Sequence, residues 1–233
     1  MTQSAPRSED LHPRVITADM LDPESGHGRV DFERGMSYGA PVTLVLIVAC
    51  CVVFMWQLAA GVLESETALV DGGALVAGRM VRGEVWRLAT SIFLHGGLDH
   101  LLGNMMALYI LGIAVEHAFG PGRMAAIYVA AGVVGGLATG AVNPLPTVGA
   151  SGAVFGLMGC LVAVLLRIRH SVQVRDGRIG VIVFLWACYQ LLLGFTDPLI
   201  ANFAHLGGFA AGFLLGLVVP PRARPDTVAD QVS

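Results

Sequence analysis

The chain is poor in charge and contains no lysine. Charged residues make up 13% of its 233 positions, against roughly 25% in ordinary soluble domains. All fourteen basic residues are Arg. The net charge of −3 comes with no basic stripe, which excludes a nucleic-acid binder. Cysteine is scarce as well. Cys50 and Cys51 are adjacent in an apolar run, Cys160 and Cys188 lie singly in others, and no CxxC or Cys/His spacing occurs. That pattern excludes a disulfide scaffold and a cysteine-held metal, and no metal or cofactor is expected. Residues 1–40 lack the apolar core of a secretory signal and instead hold seven acids, four Arg and three Pro, so they read as a polar tail. No internal repeat is present.

What the chain has in excess is apolar residues, 55% of the total, with a mean hydropathy of +0.70. They fall into six runs nearly free of charge, at 41–62, 100–119, 124–142, 150–166, 179–195 and 202–219. Each is about 17–22 residues, enough to cross a bilayer as a helix. The expected fold is therefore all-α, a polytopic membrane protein with a bundle of six transmembrane helices. The expected organisation is a cytoplasmic tail over 1–40, a membrane domain over 41–219 and a cytoplasmic tail over 220–233. The segment 63–98 between the first two runs is polar. A connection that long is functional or carries structure of its own. Orientation follows from arginine placement. Arg123 lies in the turn between runs two and three. Arg167, Arg169, Arg175 and Arg178 lie between runs four and five, and Arg222 and Arg224 in the C-terminal tail. All of these fall on one side of a six-span bundle. Both termini are thus expected in the cytoplasm of a multi-pass protein of the cell membrane, of bacterial inner or plasma-membrane type, with the long first loop outside.

Polar groups inside membrane spans are costly and point to sites. The runs hold few of them: His100, Asn104, Glu116 and His117 in the second, Ser151 opening the fourth, and Asn202 and His205 in the sixth. Ser151 lies in Gly149-Ala150-Ser151-Gly152, a sterically open loop-to-helix junction. Free amides at a helix start can stabilise an oxyanion. By itself the string fits an N-cap equally well, and a lone His near a helix start is more often structural. Topology, however, starts runs four and six on the same side, which puts Ser151 and His205 at similar depth. Gly208, three residues after His205, lets the sixth helix press against the fourth. His100 and Asn104 share one face of run two at spacing i, i+4. No Asp or Glu lies near that level in runs four or six. The arrangement implies a Ser–His dyad, with His205 as base and Ser151 as nucleophile. A solute transporter would instead place ionisable groups along a path across the membrane, or show inverted repeats; here they gather near one side.

These residues resemble the rhomboid family of intramembrane serine proteases. The matching strings are Trp86-Arg87 in the first loop, His95-x4-His100-x3-Asn104, Glu116-x3-Gly120, Gly149-x-Ser151-Gly152-x3-Gly156 and Ala204-His205-x2-Gly208-x3-Gly212. The resemblance implies a six-helix fold whose dyad opens to a water-filled cavity on the outer side. It also implies single-pass transmembrane proteins as substrates, cut near the outer membrane face. By position, Ser151 and His205 are implied as catalytic, and His100, Asn104 and the Ser151 amide as the oxyanion hole. Gly149 and Gly208 are implied as close-packing glycines, Trp86-Arg87 as the anchor of the first loop, and His95 and Glu116 as structural. Phe155, one turn beyond Ser151, stands where some relatives have Tyr and can stack on His205. The alternative is an inactive rhomboid-like binder of membrane-protein clients, which loss of the nucleophile or base would signal.

Overall fold

The computed structural model describes residues 30–31, 39–168, 172–173, 177–196 and 201–221. Most of the expected tails at 1–40 and 220–233 lies outside the described residues. So do Arg169, Arg175, Arg222, Arg224 and the side chain of Arg178. Two compact units are distinguished. In one, β1 (Val30–Asp31) pairs in parallel with β2 (Val172–Gln173), Val30 opposite Val172. The other, from Ser37 to Arg167 and from Asp176 to Arg222, is helical and holds the site.

Its long helices are α1 (Pro41–Ala59), α5 (Leu98–Phe119), α6 (Pro121–Gly140), α7 (Ser151–Ile168), α8 (Gly177–Thr196) and α9 (Asn202–Val218). They coincide with the six apolar runs to within about three residues, the usual scatter of helix ends. The first three are long and apolar enough to cross a membrane. The described stretches Ser151–Arg167, Val181–Phe195 and Asn202–Val218 are shorter but equally apolar. The sharpest boundary is local in origin. Gly120 ends α5 with φ +81°, a left-handed conformation that glycine adopts freely, and Pro121 opens α6 at once.

The segment expected to carry its own structure does. It forms α2 (Glu66–Asp71), α3 (Ala77–Met80) and α4 (Arg87–Thr90). Ser65 caps α2, its hydroxyl accepting from the Ala68 amide at 3.1 Å. Arg87 is buried and gathers this loop into one body. Its Nη1 donates to the carbonyls of Val70 and Ala74, its Nε donates to Glu84 at 2.7 Å, and its guanidinium lies 4.5 Å from the Trp86 ring centroid. That hydrogen bond from Arg87 holds the Glu84 carboxyl below its ordinary range. Leu75 in turn exchanges two backbone hydrogen bonds of 3.0 and 2.9 Å with Thr147, joining the first loop to the segment before α7.

The bundle is held by backbone approach. A Cβ on Gly208 would overlap the Gly152 carbonyl, one on Gly212 the Gly156 carbonyl, and one on Gly216 the Cys160 carbonyl. The four-residue glycine repeat of α9 therefore lies along α7, as small-residue faces do in membrane bundles. Gly135 on α6 meets the Ala204 carbonyl in the same way.

At one end of the bundle, Glu116 in the last turn of α5 accepts from the Val42 and Thr43 amides at 3.0 and 2.8 Å and from the Thr43 hydroxyl at 2.8 Å. A carboxylate is unfavourable at its own helix's C-terminus, but here it meets the positive N-terminus of α1. Arg123 donates to the Pro220 carbonyl and Arg167 to those of Gly216 and Val219, so both close the C-terminal end of α9.

Candidate active site

At the opposite end, the first turns of α7 and α9 meet. Ser151 is the first residue of α7, since the Ala150 carbonyl accepts the opening helical bond from Val154. It is thus one position inside the cap. Its Oγ lies 2.9 Å from Nε2 of His205, 54 residues away in sequence. Both residues are buried. The approach depends on Gly208, one turn further along α9, whose missing side chain leaves room for the Gly152 carbonyl. Phe155 stacks on His205 with centroids 4.4 Å apart and planes 5° from parallel, and Trp186 of α8 packs behind it at 5.6 Å. Nδ1 of His205 is buried with no hydrogen-bond partner among the described residues, so no carboxylate completes a triad there.

The wall facing Ser151 comes from α5 and the turn before α7. Gly149 has φ +125° and donates its amide to the Ser91 carbonyl at 2.9 Å. A Cβ on it would sit 2.7 Å from Nε2 of His100 and 3.8 Å from Nδ2 of Asn104. Only a glycine allows these two side chains so close to the chain beside the serine. Asn104 is fully buried and donates one N–H to the His100 carbonyl at 3.0 Å. Its amide has a second N–H to give. His100 Nδ1 accepts from the Gly96 amide at 3.4 Å, which leaves the proton of a neutral ring on Nε2, the nitrogen nearer Gly149. The Ser151 N–H, at the start of a helix, has no partner within that helix.

The remaining candidates lie outside this cluster. His95 is fully buried behind His100, the two rings edge to face at 5.3 Å. Burial first, and the neighbouring His100 second, push its pKa down to about 4. Trp86 and Arg87 sit in the first loop and Glu116 at the other end of α5. One residue that holds the site was not among the candidates. Gln57, on α1, clamps the backbone of His95 through both ends of its amide, at 2.9 and 3.0 Å. Its signal was present, for it is the strongest polar group in the first run, and such a group inside a span needs a reason.

Residues 82–222 match the Rhomboid domain model. The chain is 38% identical to the Rhomboid protease GluP of Bacillus subtilis (strain 168) over 177 residues, 75% of this chain and 34% of that protein. RHOMBOID-like protein 1 of Arabidopsis thaliana is 40% identical over 156 residues, 66% of this chain and 40% of that one. Inactive RHOMBOID-like protein 8 of the same plant is 38% identical over 129 residues, 54% of this chain and 36% of that one. The chain thus spans about a third to two fifths of the length of these relatives.

Proposed function

This chain belongs to the rhomboid family and is an integral membrane protein, and from that premise we propose that it is a serine endopeptidase that cleaves single-pass transmembrane proteins near the outer membrane face. The observation that carries the proposal is the 2.9 Å contact between Ser151 Oγ and His205 Nε2, made by two helix starts. Neutral His205 accepts the Ser151 proton as Oγ attacks the scissile carbonyl carbon. The carbonyl oxygen becomes an oxyanion beside Gly149. There the Ser151 amide, the Nε2–H of His100 and the second N–H of Asn104 act as donors aimed at the developing charge. Collapse of the tetrahedral species breaks the C–N bond, and the imidazolium returns its proton to the leaving amine. Water then attacks the acyl-serine ester with His205 again taking the proton, which releases the acid and restores the dyad.

Among the described residues no carboxylate backs His205, so its orientation falls to stacking on Phe155. Gln57, by clamping the backbone at His95, positions the Gly96 amide and through it the His100 tautomer. The alternative, an inactive binder of client membrane proteins, is suggested by the name of one relative. The presence of both Ser151 and His205, in contact, weighs against it. The test is to incubate purified protein with tagged single-span substrates, with and without Ser151→Ala, and to map products by mass spectrometry. Cleavage by the wild type alone is the expected result. Capture of the same substrates without cleavage by either form would favour the client-binding alternative.

A further inference from the structure

His205 needs more than a ring in the right plane. Stacking on Phe155 sets the tilt of the imidazole, but the backbone that carries it is the first turn of α9. Helix starts are weakly constrained, because their first amides have no partner within the helix. Ala201, which precedes α9, offers no side chain to cap it. The placement of this turn must come from its neighbours.

Three helices hold it. The Gly152 carbonyl of α7 lies in the space left by Gly208, and the Ala204 carbonyl lies in the space left by Gly135 of α6. Both contacts are packing alone and tolerate some rotation of the turn. The third is directional. Asn202, the first residue of α9 and three before His205, donates from Nδ2 to the Leu191 carbonyl of α8 at 3.1 Å. Gly194 of α8 forms the seat for this amide, since a Cβ there would overlap Asn202 Oδ1 and lie 2.8 Å from Nδ2. Residues three apart are neighbours on a helix surface, so anchoring Asn202 fixes the direction in which His205 leaves the same turn. The tie also acts on α8. Val183 and Ala187 are its buried residues among those described, while Phe184, Leu185, Leu192 and Phe195 are exposed. Packing therefore constrains α8 weakly, and the bond to Asn202 keeps its Trp186 behind Phe155, 5.6 Å away.

We propose that Asn202 is a positioning residue for the dyad: its amide, seated on Gly194 and bonded to the Leu191 carbonyl, sets the first turn of α9 so that His205 Nε2 meets Ser151 Oγ. This rests on the reading of Ser151 and His205 as nucleophile and base. The test measures two reactions of the full chain in detergent, each per folded molecule. One is cleavage of a single-span substrate, resolved into kcat and KM. The other is labelling by an alkyl fluorophosphonate, in which Ser151 Oγ bonds to phosphorus, fluoride leaves and His205 takes the serine proton. The second reaction needs the dyad but no substrate helix. Asn202→Ala and the near-isosteric Asn202→Leu should each lower kcat and the labelling rate in parallel, about ten- to hundredfold, with KM little changed. Gly194→Ala, which expels the amide from its seat, should do the same alone and add little to Asn202→Ala, where no amide remains to be displaced. A wild type that does not label, or labelling that survives Ser151→Ala, would overturn the dyad and this role with it. With the wild type labelled through Ser151, three results overturn the role of Asn202 alone. They are labelling at the wild-type rate in both Asn202 variants, a loss confined to melting temperature, or a Gly194→Ala defect undiminished by Asn202→Ala. Should Asn202→Ala fail to fold, Asn202→Leu takes its place in every comparison.

Discussion

At the scale of single residues, the pairing of Ser151 and His205 makes the sharpest claim. Ser151→Ala and His205→Ala should each abolish cleavage with the fold intact, and Ser151→Ala should leave thermal unfolding of the detergent-solubilised protein nearly unchanged. The double variant should be no worse than either single one, because groups that act as a unit are not additive. Asn104→Ala removes one of three donors, and loss of an oxyanion donor costs roughly 100–1000-fold in kcat elsewhere. Full activity in that variant would strip Asn104 of its role. His95 predicts a pH dependence of stability. Its folded pKa, about 4, lies below the ordinary value of 6.5 because the ring is buried beside His100. Unfolding therefore takes up a proton between those values, and its contribution to stability, whole above pH 6.5, is lost as pH falls toward 4. Thermal melts across that window should show the loss, and His95→Asn should make it smaller.

At the scale of elements, the contact between α7 and α9 decides whether the dyad exists. Gly208→Val would drive a branched side chain into the Gly152 carbonyl, a backbone atom with nowhere to move. Overpacking of this kind costs about 1–3 kcal/mol in close-packed cores. Activity and melting temperature should fall together, in contrast to Ser151→Ala; activity near the wild-type level would mean the two helices can part without harm to the site. The same contrast separates scaffold from chemistry elsewhere. Glu116 and Arg87 each satisfy two backbone groups elsewhere in the chain, so they act through the placement of α1 and of the first loop.

At the scale of the whole molecule, orientation and substrate choice are at stake. Arg123 and Arg167 sit at the end of the bundle opposite the dyad, the end where α1 begins and α9 ends. The arginines of the first loop lie at the dyad end, yet Arg79 and Arg87 are paired with Glu84 at 3.2 and 2.7 Å. With Arg82 the first loop holds three arginines, against seven on the other side (Arg123, Arg167, Arg169, Arg175, Arg178, Arg222 and Arg224), so the count of arginines still favours cytoplasmic termini. Reporter fusions after Ser233 and within residues 64–71 should report the cytoplasm and the outside respectively; an external C-terminus would overturn the six-span topology. On the proposed mechanism a substrate helix must also unwind before its carbonyl can reach Ser151, because its amides are bonded internally. Gly or Pro just inside the cut should raise cleavage, and Ala before the cut should be preferred to Leu and Phe, given the small Gly149, Ala150 and Gly152 around the serine. Indifference to helix breakers combined with a preference for Phe would overturn this account of specificity.

The sequence by itself determined what depends on neighbours along the chain. Six apolar runs place six helices, Gly120-Pro121 sets the break between α5 and α6, and the few polar residues inside the runs single out Ser151, His205, His100 and Asn104 because a bilayer penalises every one of them. Only the tertiary structure decided which of these groups touch and what holds them there. Gln57 reaches His95 across 38 residues, Glu116 reaches Thr43 across 73, and Arg87 gathers carbonyls 13 and 17 residues before it. Such contacts leave no periodicity in the sequence. They arise where glycine faces bring backbones close enough that one hydrogen-bonding side chain can satisfy another element's amides and carbonyls.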